Sequence, residues 1–74
     1  MIRRVVRSSN VKSVGWEPSE EDPATGTLEV EFLSGGIYQY AEVPQSTFQA
    51  LLGAASVGRY LNQNVIGTYT DSRV

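Results

Sequence analysis

Residues Leu28 to Tyr40 read LEVEFLSGGIYQY, and this stretch decides the fold. Leu28, Val30 and Phe32 alternate with Glu29 and Glu31. A period of two places the apolar trio on one face of a strand and the carboxylates on the other. Ser34-Gly35-Gly36 breaks the alternation, and glycine supplies the positive φ that a tight reversal needs. Ile37 to Ala41 is rich in β-formers and reads as the return strand.

Loop length decides where Tyr38 and Tyr40 point. A three-residue loop over Ser34–Gly36 pairs Phe32 with Tyr38 and Val30 with Tyr40, which turns both rings to the core. A two-residue loop at Ser34-Gly35 pairs Glu31 with Tyr38 and Glu29 with Tyr40, which turns them outward. Gly36 suits the left-handed position that closes the longer loop, and this favours core-side rings with hydroxyls at the rim. The competing reading is an aromatic platform for a ligand.

Upstream, Val11 to Trp16 reads as a strand with Val14 and Trp16 on one face. Ile2 to Val6 is β-prone, and its place in the same sheet is open. Glu17 to Gly26, with Pro18, Pro23 and four acidic residues, reads as a connecting loop of solvated charge. Its carboxylates lack the Asp-x-Asp spacing and central glycine of a calcium loop.

Downstream, Val43-Pro44 marks a helix start, and Phe48, Leu51, Leu52 and Ala55 recur at helical spacing. Ser56 is placed to cap a second helix with Val57, Tyr60, Leu61 and Val65 as its stripe and Gly67 as its stop. Tyr69 is expected to fold back onto the body, and Thr70 to Val74 to fray. The whole is predicted as one α+β domain over residues 1–74. It is a small antiparallel meander of three strands, four if Ile2 to Val6 joins, followed by two short helices packed on one face.

With 74 residues the core is modest, and homo-oligomerisation is one way to enlarge it. The chain has neither cysteine nor histidine. That removes disulfides, thiolate metal sites, the commonest metal ligand and the commonest general base. No apolar run approaches the ~20 residues of a membrane span, so a cytoplasmic setting is expected. The net charge is −2, with Arg3, Arg4, Arg7 and Lys12 at the start and most carboxylates in the middle. A general nucleic-acid binder has a more basic balance.

The ordered pattern F-x-x-G-x-x-Y-x-Y-x-x-V-P from Phe32 to Pro44, followed by S-x-G-x-Y-x-N from Ser56 to Asn62, resembles the KTSC domain. That domain occurs at the C-terminus of some lysyl-tRNA synthetases and as a small standalone protein in bacteria and phages. Ser8-Ser9, Val11, Val14-Gly15-Trp16, Leu28 to Phe32, Ile66 and Tyr69 extend the match over nearly the whole chain. The resemblance carries no established activity; attachment to a tRNA enzyme suggests RNA binding, and Tyr-x-Tyr is the hallmark. The chain departs from the family at Val57, where lysine is common, at Trp16 and Leu61, where tyrosine and phenylalanine are usual, and around Gln63, Asn64, Gly67 and Thr68, where basic residues or histidine are frequent. The helical end is therefore less basic, with Arg59 remaining.

A nucleophile needs an adjacent base, and apart from Lys12 only carboxylates in an exposed loop or on a strand face are available, so the chain is read as non-enzymatic, without cofactor or metal. The first functional reading is a binder of a nucleotide or an RNA segment. Trp16, Tyr38, Tyr40 and Tyr60 would stack bases. Arg59 and the helix start at Ser56 and Gly58 would hold a phosphate, and Asn62 would read a polar edge. One form of this reading is a phage-borne protein that captures a nucleotide signal at a subunit interface. For Ser56, Gly58 and Tyr60 the plainer roles are cap, helix packing and core. The second functional reading is a module that docks on a host or partner protein through a sheet edge or an apolar patch.

Overall fold

The computed structural model describes residues 1–74. The alternation that begins at Leu28 does form a strand, and it lies at the centre of the sheet. β1 (Arg4–Val5), β2 (Val11–Pro18), β3 (Thr25–Phe32) and β4 (Ile37–Pro44) are followed by α1 (Gln45–Leu52), α2 (Val57–Asn64) and β5 (Asp71–Arg73). The strands form one antiparallel sheet in the order β1-β2-β3-β4-β5. The α+β class and the helices on one face are as expected, but the sheet has five strands where three or four were predicted. Arg4–Val5 joins on one side. On the other, the tail expected to fray pairs with β4, its ends bracketed by Ala41 N–H to Thr70 O at 2.9 Å and Val74 N–H to Ile37 O at 2.8 Å.

The hairpin turns one residue earlier than the sequence suggested. The loop is Leu33-Ser34-Gly35: the Phe32 amide donates to the Gly36 carbonyl and the Gly35 amide to the Phe32 carbonyl. Gly35, at φ 104°, takes the left-handed position expected of Gly36. Tyr38 therefore faces Val30, and Tyr40 faces Leu28. That is a two-residue displacement from the three-residue-loop pairing, and an even displacement leaves side chains on the same face. Both tyrosines stay on the core side.

Rows run across the strands on this face. Val14, Val30 and Tyr38 form one, and Trp16, Leu28 and Tyr40 the next. Leu51 of α1 and Val57 and Leu61 of α2, with Val65 just beyond, close over them in a single buried cluster. Ala55 falls outside α1 and is exposed, so it drops out of the predicted stripe. The opposite face is polar. There Glu29 is 8% exposed, held by Arg3 at 2.9 Å and by the Gln39 amide at 2.9 Å. Glu31 accepts from Ser13 at 3.0 Å and lies 3.6 Å from Arg3. A carboxylate so enclosed is tolerated because its oxygens are paired.

Candidate functional site

Ser56 begins the site. Its backbone is extended and its hydroxyl accepts the Arg59 amide at 3.3 Å, the cap predicted from the sequence. The cap fixes the first turn of α2, so Gly58 turns inward and Arg59 outward. Gly58 is buried against Asn10, and a Cβ there would come within 2.5 Å of the Asn10 Oδ1. Asn10 is itself held, because the Ser8 hydroxyl donates to its Oδ1 at 3.0 Å. Helix and β2 entry thus meet along a cleft of about 440 Å³. Ser56, Gly58, Arg59, Asn62 and Gln63 line one wall, and Ser9 and Asn10 the other.

No carboxylate and no apolar side chain lines this cleft. It offers one guanidinium, three side-chain amides and hydroxyls, all beside the positive end of a helix dipole. A second cleft, of about 460 Å³, lies between the β2–β3 loop and β4 and carries Glu21, Asp22 and Glu42. Its lining is acidic where that of the α2 cleft carries a single guanidinium.

Of the eight residues singled out in the sequence, Ser56, Gly58, Arg59 and Asn62 come together here. The aromatic four do not join them. Tyr40 is 2% exposed and belongs to the core, so it cannot stack on a ligand. Burial pushes its hydroxyl pKa above the usual tyrosine value, and the Asp71 carboxylate and Tyr38 add to the rise. Trp16 is half-buried, donates its indole N–H to the Val43 carbonyl at 3.0 Å and stacks on Phe48 with centroids 6.3 Å apart. Tyr60 packs against the core cluster. Tyr38 is half-buried, edge-on to Phe32, and the guanidinium over its ring comes from Arg73, not Arg59. The hairpin rings and Arg59, read from the sequence as parts of one ligand site, therefore separate into two patches: the polar α2 cleft, and Tyr38 with Arg73 at the β4–β5 edge. Asn10 and Ser9 were not among the sequence candidates for this cleft, since only the fold brings β2's start to α2. Their signal was the Ser8-Ser9-Asn10 break.

Fold and cleft together define a small α+β protein with a five-stranded meander, a Tyr-x-Tyr strand and a capped second helix. The chain belongs to the KTSC domain family, whose model matches residues 7–69. It is 44% identical over 63 residues to an uncharacterized protein of Stutzerimonas stutzeri, covering 85% of this chain and 82% of that one. A segment of a lysine–tRNA ligase from Nostoc is 40% identical over 48 residues, which is 65% of this chain and 9% of the ligase. The crystal structure of a KTSC domain protein from Yersinia pestis superposes with a TM-score of 0.88 at 30% identity, over 99% of this chain and 96% of that one. No helix of the chain is long and apolar enough to cross a membrane.

Proposed function

We infer that this chain is a small non-enzymatic module that binds a phosphate-bearing ligand, a nucleotide or an RNA segment, in the α2 cleft. The observation that carries the reading is the grouping of Arg59 with Ser56, Asn10, Asn62 and Gln63 in a cleft free of carboxylates, on a chain of net charge −2. Arg59 and the helix start supply the anion attraction. The amides supply donors and acceptors for a base or sugar edge. With no histidine in the chain to serve as a base and no cysteine to serve as a nucleophile, we favour retention over turnover. A sequestering protein for a nucleotide signal is the form this takes when the ligand is small. The segment shared with a lysine–tRNA ligase supports the RNA form.

The test is an amide-resolved NMR titration with a panel of nucleotides and short single-stranded RNAs at two salt concentrations. Gly58, Arg59, Asn62 and Asn10 are expected to shift together, more strongly at low salt, and Arg59→Ala is expected to reduce the salt slope by about one unit. A panel that leaves those four amides unmoved removes this reading. It would favour the docking alternative, for which Ile2 and Val5, 91% and 83% exposed beside the β1 edge, are the motivating residues. Capture of a partner through them would be insensitive to salt.

A further inference from the structure

The β5 edge is complementary to itself. We propose that two copies of this chain pair through β5, antiparallel about a twofold axis at Ser72, and join their sheets into one.

The register on β4 decides which groups of β5 are free. Ala41 donates to Thr70 and Val74 to Ile37, so the 41/70 and 37/74 pairs are hydrogen-bonded. Hydrogen-bonded and non-hydrogen-bonded pairs alternate in an antiparallel ladder. Gln39 and Ser72 are therefore a hydrogen-bonded pair, while Tyr38 with Arg73 and Tyr40 with Asp71 are not. It follows that the N–H and C=O groups of Asp71 and Arg73 point away from β4, toward the open edge. β5 is the last strand of the sheet and is exposed along its length.

A second β5, antiparallel and centred on Ser72, meets these groups in register. Asp71 of one copy falls opposite Arg73 of the other, twice, and each such pair exchanges two backbone hydrogen bonds. The same juxtaposition brings each carboxylate beside a guanidinium on one face, the cross-strand pairing that stabilises a ladder. Ser72 meets Ser72 as a non-hydrogen-bonded pair. Thr70 meets Val74, whose side chain is 69% exposed in the single chain. The axis closes the assembly at two copies.

The other edge of the sheet does not compete. Arg4 is one of the two residues of β1, and Arg3 and Arg7 lie to either side, so self-pairing there brings like charges together. Joining β1 to β5 would be head-to-tail and open-ended. A three-residue ribbon buries far less than the ~1,000 Å² of a stable interface, so the dimer is a weak, reversible one.

The test uses the full chain without ligand. Sedimentation velocity over a concentration series is expected to show monomer passing to dimer. Asp71→Arg and Arg73→Asp, each alone, set like charges opposite one another and are expected to abolish the dimer, while an equimolar mixture of the two variants restores it. Ser72→Cys adds the sole cysteine of the chain. Its Cα would lie ~4.5 Å from its twin, within disulfide reach, so mild oxidation is expected to link it faster than Ser46→Cys on α1. A wild type that stays monomeric to its solubility limit, a dimer that both charge variants leave intact, or cross-linking no faster than at Ser46 each overturns the proposal. Should a charge variant lose its circular dichroism, the cysteine pair decides.

Discussion

The guanidinium carbon of Arg73 lies 5.8 Å from the centroid of the Tyr38 ring. The β4–β5 register puts the two residues directly opposite each other, and Phe32 meets the same ring edge-on with centroids 5.8 Å apart. A cation over an aromatic face gains from the ring quadrupole, modestly where water is near. Tyr38 thus joins the last strand to the hairpin, and Arg73 serves the sheet.

This contact has a measurable size. In dilute protein, urea unfolding of Arg73→Ala, Tyr38→Leu and the double variant is expected to give a coupling energy of about 0.5–1 kcal/mol. Amide exchange across Asp71–Arg73 should quicken in Arg73→Ala while the centre of β3 stays protected. A coupling of zero would mean that backbone hydrogen bonds alone hold β5.

Tyr40 sets the alkaline limit of the fold. Burial, then Asp71 and Tyr38, raise its folded pKa. The unfolded tyrosine loses its proton near pH 10. Below that pH both states hold the proton and stability is unaffected. Above it the unfolded chain ionises first, so stability falls as pH rises toward the folded pKa. Tyr40→Phe is expected to flatten this alkaline limb in chemical unfolding measured on either side of pH 10. Tyr40→Ala, which empties a core position, is expected to cost about 3–5 kcal/mol at neutral pH.

On the polar face, Arg3 is the partner of an almost enclosed Glu29. Arg3→Ala leaves that carboxylate with the Gln39 amide and is expected to destabilise by about 1–3 kcal/mol. Arg4→Ala, an exposed neighbour outside this network, is expected to change stability by under about 0.5 kcal/mol. Thermal unfolding of the two side by side checks the contrast.

Gly58 separates cleft shape from charge. Gly58→Ala drives a methyl against the tip of the exposed Asn10 side chain, which must swing off its Ser8 hydrogen bond, and with the helix-propensity gain of alanine in partial offset the unfolding midpoint is expected to report a cost of no more than about 1 kcal/mol. Arg59 is exposed and its side chain makes no ion pair. Arg59→Ala is therefore expected to leave the unfolding midpoint in place while weakening phosphate ligands. A variant at Arg59 that lost stability in step with binding would assign the residue to the fold.

The hairpin was legible because Leu28, Val30 and Phe32 alternate with charge over enough residues to exclude a helix. Its turn was legible in length but not in placement, since Gly35 and Gly36 satisfy the left-handed position equally well and only the bonded ladder chooses Gly35. The Ser56 cap announced α2 for a local reason: a side chain bonding its own first turn needs no distant partner. Asp71–Arg73 had no such signal. Three polar residues carry no periodicity, and the strand exists because β4 presents an edge to them.

The fold class could be read along the chain: strand alternation and helical stripes are one-dimensional patterns, and so is the ordered motif of the family. The sequence also brought Ser56, Gly58, Arg59 and Asn62 onto one helix, a matter of spacing alone. Three features needed the folded chain: Tyr40 enclosed in the core, Tyr38 facing Arg73 rather than Arg59, and Asn10 completing the α2 cleft. Each of these depends on strand register and helix docking, which are settled by contacts between segments far apart in the chain and leave no mark on either segment read alone.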